Sequence, residues 1–169
     1  LRGNSVIDYN TPSRYFALGI TGSAKSSFLE TIGEGYLMQG HAVLDLFGSR
    51  DGEGLEWLRS PWVEDKRVLV LHGDGVDLKC SFPTKNTSNL SLNDLERNDL
   101  ILSATPCYVS PSQEFIEVNH ILDLLYQRLS WKRLVYAITR EAANLFYSRL
   151  RVNKDQLQAK AEAVYLVRE

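Results

Sequence analysis

Apolar residues along this chain follow two different spacings. Short continuous apolar runs, bounded by glycine, proline or polar residues, are typical of buried strands. Between these runs, apolar residues recur at every third or fourth position, which is typical of amphipathic helices. The predicted strands lie at 14–21, 41–47, 67–72, 100–105 and 133–139. Because strands alternate with helices, the pattern predicts an α/β fold built on a mostly parallel sheet.

The helical segments differ in how strongly the pattern marks them. The predicted helices lie at 25–38, 115–129, 141–150 and 155–167. The clearest apolar stripe comprises Phe115, Val118, Leu122, Leu125 and Leu129. A short helix is also expected after Ser91, which forms a capping box with Asp94, and one helical turn at 55–59. The stretch 81–91 is polar and interrupted by a proline, so we expect a loop there.

The first predicted helix has an imperfect apolar face. Phe28, Ile32 and Tyr36 fall on one side of it and are expected to face the core. Gly33 and Gly35 lie in the same helix and are expected to weaken it, because glycine is a poor helix former.

Composition places the chain among ordinary globular proteins. It has 169 residues, of which 44% are hydrophobic and 24% charged, enough for one domain with a substantial core. We therefore expect a single domain over 1–169. Because the last predicted element is a helix, we expect the sheet to be completed by residues that follow. The net charge of −2 excludes a global basic field for nucleic acid, although a local patch or a ring of subunits could supply one.

Cysteine content and apolar runs indicate the cellular setting. Cys80 and Cys107 form neither a disulfide framework nor a CxxC pair. No apolar run is long enough to span a bilayer, and residues 1–11 lack the apolar region of a signal peptide. We expect a cytoplasmic protein that makes no membrane contact.

The stretch "GITGSAKSS", residues 19–27, has the spacing of a phosphate-binding loop. Such a loop needs glycines that turn backbone N–H groups inward, a lysine for the β- and γ-phosphates, and a hydroxyl for Mg²⁺. Gly19, Gly22, Lys25 and Ser26 supply these features between a predicted strand and a predicted helix, whose N-terminus favours anions. The expected phosphate-binding residues are Gly19, Thr21, Gly22, Ser23, Ala24, Lys25, Ser26 and Ser27. The alternative is a glycine-rich turn in which Lys25 is a solvated cation.

Ala24 is the departure from the pattern, which has glycine at this position. If residue 24 adopts a positive φ, its methyl group costs about 1 kcal/mol. If the methyl group points at the phosphates, the affinity for nucleotide falls as well.

A second motif follows the last predicted strand. In "LVYAITREAANL", residues 134–145, Glu141 comes directly after the strand and Arg140, at the edge where ligands bind in open α/β sheets. Together with "GITGSAKSS", this stretch resembles the FtsK/HerA superfamily of DNA-pumping P-loop ATPases, with archaeal plasmid and virus members nearest. These proteins usually show "DEAxN" at this point. Glu141, Ala142 and Asn144 fit that pattern, and Arg140 stands where it has aspartate.

The resemblance implies a RecA-like core, a three-layer sandwich with a mostly parallel central sheet. It implies ATP and Mg²⁺ as cofactors, with Lys25 on the phosphates, Ser26 on the metal and Glu141 as the general base. Hydrolysis would drive translocation or packaging of double-stranded DNA through backbone contacts, in a homo-oligomer that is usually a hexamer. Ala24 and Arg140 together suggest either weak hydrolysis or a subunit that binds nucleotide without turning it over.

Other charged residues offer further hypotheses. Asp45, near the end of the second predicted strand, could help replace the missing acid, or it could simply bond to its loop. Arg50 lies in a polar loop of the kind that carries a trans-acting arginine, whereas Arg149 and Arg151 suit a helix end.

Two rival functions stay open. One is a degenerate P-loop domain that binds nucleotide weakly or not at all and acts as a structural or regulatory partner. The other, a small-molecule kinase, is less favoured because the chain has no arginine-rich lid.

Overall fold

A five-stranded sheet forms the centre of the molecule. The computed structural model describes residues 7–19, 23–47, 53–74, 76–103, 111–127, 133–140 and 157–158. Its strands are β1 (Ala42–Phe47), β2 (Val68–His72), β3 (Thr84–Asn86), β4 (Leu100–Ser103) and β5 (Val135–Thr139). They are ordered β3-β2-β4-β1-β5, and every pair is parallel. The α/β class and the parallel sheet that the sequence predicts are thereby confirmed.

Helices cover the sheet on both sides. The α-helices are α1 (Lys25–Met38), α2 (Leu92–Arg97) and α3 (Pro111–Gln127), and the 3₁₀ helices are Glu53–Arg59, Pro61–Val63 and Thr87–Asn89. Successive strand residues point to opposite faces, so Val43 joins a core cluster with α1, whereas Leu44 joins one with α2 and α3. The chain thus forms helix, sheet and helix layers, with a separate apolar core on each face.

The strand set differs from the predicted one at two places. Residues 14–19, which were predicted to form a strand, belong to no strand of the described sheet. Their alternating pattern leaves Phe16 77% and Leu18 93% exposed, while the Tyr15 ring contacts the Tyr136 ring edge-on. The predicted loop 81–91 instead contains β3, which pairs with β2. β3 lies at the edge of the sheet and is only partly buried. Its residues are polar, so the apolar pattern did not predict a strand there.

The α1 helix has its predicted bounds but a different buried face. Ile32, Gly33, Tyr36 and Leu37 are buried, whereas Phe28 is 48% exposed. The expectation that Phe28 faces the core is therefore wrong.

The glycines of α1 admit aromatic rings. A Cβ atom built on Gly33 would lie 2.6 Å from the Trp57 ring, and one on Gly35 would lie 2.1 Å from the Tyr9 ring. These positions lack side chains because two rings pack directly onto the helix backbone.

The other helices largely follow the sequence pattern. Ser91 and Asp94 form the predicted capping box at the start of α2. In α3, Val118 and Leu122 of the predicted stripe are buried, and Leu125 packs against the same core. The predicted helix 141–150 lies outside the described residues, as does that at 155–167 except for two helical residues at 157–158.

Asp99 joins three strands at the amino edge of the sheet. Its carboxylate accepts hydrogen bonds from Arg67 Nε at 3.0 Å and from Arg133 Nη1 at 2.8 Å. Arg133 also donates to the carbonyl oxygens of Leu95 and Glu96 at the end of α2. Burial raises the pKa of Asp99, but the hydrogen bonds from the two arginines outweigh burial and hold the pKa well below its usual range.

His41 ties the N-terminal segment to the start of β5. Its Nδ1 atom accepts the Leu134 backbone N–H at 3.3 Å, and its Nε2 atom lies 3.2 Å from Asn10 Oδ1. A ring nitrogen that accepts an N–H carries no proton, so the ring is neutral and Nε2 donates to Asn10. Burial, followed by the positive charge of Arg133, lowers the pKa of His41.

Candidate functional site

The start of α1 lies at the carboxyl edge of the sheet. Glu30, in the second turn of α1, forms an ion pair with Arg140, the residue that follows β5. Beyond the other end of α1, His41 accepts a hydrogen bond from Leu134, which precedes β5. The helix therefore runs antiparallel to the strands and presents its N-terminus where ligands bind in parallel α/β proteins. Lys25, its first residue, is thus at the expected edge.

Ala24 has a left-handed backbone conformation, which glycine adopts without strain. Its φ and ψ are 60° and 26°, and it is the single described non-glycine residue with a positive φ. Its carbonyl oxygen accepts the Phe28 N–H at 3.0 Å, so the helix starts immediately after the left-handed residue. Of the two cases considered for residue 24, the positive φ is the one that the structure has, and the chain tolerates alanine there.

The loop is tight at its described ends. A Cβ atom on Gly19 would lie 2.3 Å from Ser23 Oγ, so the serine packs where a side chain at residue 19 would stand. Ser26 and Ser27 lie in the first turn of α1, and the Ser27 carbonyl oxygen accepts a hydrogen bond from Thr31 Oγ1 at 2.8 Å. The predicted binding residues Thr21 and Gly22 lie outside the described residues, as does the predicted base Glu141.

Arg140 is buried in a network of polar side chains. Its side chain is 3% exposed and its Nε atom lies 3.0 Å from both oxygens of Asp45, which is 0% exposed. Its Nη2 atom donates to Glu30 Oε1 at 2.7 Å. The Trp57 indole N–H donates to Asp45 Oδ2 at 2.8 Å. The network joins β1, β5, α1 and the 3₁₀ helix that carries Trp57.

The network holds a permanent positive charge inside the protein. Burial lowers the pKa of Arg140, but the hydrogen bonds and charges of Asp45 and Glu30 outweigh it and raise the pKa. An arginine is effectively always protonated in proteins, so this cation cannot be removed by pH. Breaking such a buried pair by removing one partner costs roughly 3–5 kcal/mol.

The donor set around Asp45 does not fit a divalent metal ion. Both oxygens of Asp45 accept hydrogen bonds from Arg140, and Asp45 Oδ2 also accepts one from the Trp57 indole N–H. The neighbouring guanidinium would repel a metal cation. Within the described parts of the chain, no group of three His, Cys, Asp or Glu side chains could hold a metal ion. Asp45 therefore serves as the partner of Arg140, and the assignment of Ser26 to Mg²⁺ stays a prediction.

The sequence interpretation did not anticipate this network as a unit. Asp45 and Arg140 were not predicted to contact each other, and neither Glu30 nor Trp57 was among the predicted site residues. The two oppositely charged residues at the ends of apolar runs were the available signal. Their pairing depends on β1 and β5 being neighbours, which the order of the strands along the chain does not reveal.

A surface depression lies beside the network. It is lined by Glu30, Glu34, Glu56, Trp57, Arg59 and Ser60. Ser60 Oγ donates to Glu34 Oε1 at 2.7 Å, and Arg59 is paired with Glu56 at 2.8 Å. Three carboxylates against one arginine disfavour phosphate groups here, so the depression is a poor candidate for DNA contact. The candidate cations Arg50, Arg149 and Arg151 lie outside the described residues.

The chain was compared with protein-family models, with curated proteins and with solved structures, and none of them matched. Among the described residues, no helix is both long and apolar enough to cross a membrane. The candidate site therefore stands on its own geometry.

Proposed function

We propose that this chain binds ATP through residues 19–27, as a P-loop domain. The observation that carries the proposal is the left-handed Ala24 directly before α1, at the carboxyl edge of an all-parallel sheet. That backbone turns the chain before the helix, so that the N-terminus of α1, whose dipole favours anions, would face the phosphates. Lys25 begins the same turn and would reach the β- and γ-phosphates.

On the resemblance to the FtsK/HerA superfamily, we propose further that ATP hydrolysis moves double-stranded DNA. Glu141 would act as the general base, and DNA would be held through its backbone phosphates by an oligomer. The net charge of −2 means that the positive DNA surface would have to come from a local patch or from assembled subunits. A RecA-like arrangement of the whole core is part of this proposal.

A second candidate is a subunit that binds nucleotide without hydrolysing it. The specific observation in its favour is Arg140, which is buried against Asp45 and Glu30 at the position where related motifs have an acid. Such a subunit would stabilise or regulate an assembly instead of driving it.

Nucleotide binding is tested by thermal unfolding with and without ATP. A ligand that binds only the folded state raises the midpoint, because the free energy of unfolding increases with the logarithm of the ligand concentration relative to its Kd. We expect a rise for the natural sequence, a much smaller rise for Lys25→Ala, and an unchanged response for the control Lys79→Ala, whose side chain is exposed outside the loop. Equal responses in the two lysine variants would contradict the proposed loop.

Turnover separates the two candidates. Steady-state ATP hydrolysis is measured with and without duplex DNA for the natural sequence, Lys25→Ala and Glu141→Gln. The motor predicts hydrolysis that duplex DNA stimulates and that both substitutions abolish. ATP binding with no hydrolysis in either condition would leave the non-hydrolysing subunit as the function.

A further inference from the structure

Three elements of the fold, α1, β1 and the end of β5, bring two carboxylates and one guanidinium together near the start of α1. Asp45 is completely buried and Glu30 is 24% exposed, and both contact the buried Arg140. The three side chains carry a net charge of −1. With an acid at residue 140, as in "DEAxN", the same three side chains would carry a net charge of −3 in a mostly buried place. Converging carboxylates of that kind need a cation or a proton to be stable.

We infer that the Arg140 guanidinium takes the place of the divalent cation in this site, so that ATP binds without requiring Mg²⁺. This inference rests on the proposed nucleotide binding and concerns the same loop. The buried cation already neutralises the carboxylate that would otherwise attract a metal ion.

The geometry of Arg140 favours a permanent substitution. Arginine presents several N–H donors in a fixed planar fork, and here that fork reaches Asp45 and Glu30 simultaneously. The Trp57 indole N–H donates to the same Asp45 carboxylate at 2.8 Å, and that carboxylate is fully buried. A metal ion could enter only after Arg140 left, and its departure would strand a fully buried carboxylate. The positive charge facing the phosphates then comes from Lys25 and the N-terminus of α1.

The first test measures ATP binding to the natural sequence by calorimetry, once with excess MgCl₂ and once with excess EDTA. We expect the two Kd values to agree within about threefold, which is under 1 kcal/mol. A Kd that is about tenfold or more weaker in EDTA would overturn the inference, because the metal would then contribute to binding.

The second test uses the metal alone and needs no nucleotide. Arg140→Asp should unfold about 5–15 °C below the natural sequence in EDTA, since a buried pair is broken. MgCl₂ should restore much of that loss in Arg140→Asp. The natural sequence and the control Arg97→Asp, whose arginine is exposed in the last turn of α2, should not respond to MgCl₂. Stabilisation of the natural sequence by MgCl₂, or no response of a folded Arg140→Asp, would overturn the inference.

The two tests fail in distinguishable ways. If ATP binds in neither calorimetric condition, the proposed function fails, and the metal-alone measurement still decides whether Arg140 occupies a cation position. If Arg140→Asp does not fold, the calorimetric comparison on the natural sequence decides the inference by itself.

Discussion

Replacing Ala24 with glycine should stabilise this protein. Ala24 lies in the left-handed region at φ 60°, directly before the first residue of α1. That conformation brings Cβ close to a carbonyl oxygen and costs an L-residue roughly 1–2 kcal/mol. Glycine has no Cβ and adopts the conformation freely.

The net gain follows from two opposing terms. Relief of the left-handed strain contributes about 1–2 kcal/mol. The greater freedom of glycine in the unfolded chain offsets about 0.4–1 kcal/mol of that gain. The middle values of these two ranges differ by about 0.8 kcal/mol, so we expect Ala24→Gly to raise the free energy of unfolding by roughly that amount. With a urea dependence of about 2 kcal/mol/M, the midpoint should move up by roughly 0.25–0.5 M.

Gly40 offers the matched control in the opposite direction. It lies beyond the other end of α1 at φ 80°, and nothing lies within 4 Å of where its Cβ would be. Gly40→Ala therefore introduces backbone strain without a steric clash, and it should lower the urea midpoint by a similar amount. Both variants are compared with the natural sequence by circular dichroism in urea.

A specific pattern would refute this reasoning. If Gly40→Ala lowers the midpoint as expected while Ala24→Gly leaves it unchanged or lowers it, then residue 24 does not carry left-handed strain. The backbone turn that supports the phosphate-loop proposal would then be absent as well.

Three further predictions concern packing and pH. Gly33→Ala should lower the free energy of unfolding, measured in urea, by about 1–3 kcal/mol, because its methyl group would lie 2.6 Å from the Trp57 ring. An unchanged urea midpoint would mean that the ring moves aside freely. The folded-state pKa of Asp99 is depressed, so its stabilisation is present above the unfolded-state pKa near 3.9 and is lost as pH falls below it. Asp99→Asn should remove that part of the acid dependence when midpoints are followed from about pH 6 down to about pH 2, because the unfolded chain takes up this proton before the folded protein does. An equally steep dependence in the variant would contradict the prediction. The folded-state pKa of His41 is lowered, so as pH falls the unfolded chain takes up a proton on this histidine before the folded protein does. The free energy of unfolding should therefore fall as pH drops below about 6.5. His41→Asn should lose this dependence, and a free energy of unfolding that instead rises in that range would refute the neutral tautomer assigned to His41.

Apolar runs located the strands that are buried on both faces. The runs at β1, β2 and β4 were recognisable because central parallel strands are apolar on both sides. β5 lies at the edge of the described sheet and is only partly buried, but its run is apolar as well. The edge strand β3 escaped because two of its three residues are only partly buried and all are polar. Residues 14–19 were wrongly predicted to be a strand, because alternating apolar residues fit a strand whether or not the segment pairs with the sheet.

The candidate site was partly accessible from the sequence. The loop spacing and the helical pattern after it predicted where α1 begins, although described residues 14–19 of the strand expected before the loop do not join the sheet. A positive φ was considered at Ala24, and Ala24 adopts it. The network around Arg140 was not accessible, because its four members come from distant parts of the chain. Glu30 and Trp57 carry no local signal, and only the neighbouring positions of β1 and β5 bring Asp45 to Arg140.

The placement of Trp57 gives this protein an intrinsic optical reporter. Its indole is 2% exposed, and it donates a hydrogen bond to the carboxylate that Arg140 neutralises. Trp62, by contrast, is 48% exposed and far more open to a soluble quencher. A change in the distance between Asp45 and Arg140 alters the electric field along the indole, and hence its emission wavelength. Binding events at residues 19–27 that reach Glu30 should therefore be visible by stopped-flow fluorescence without attaching a dye.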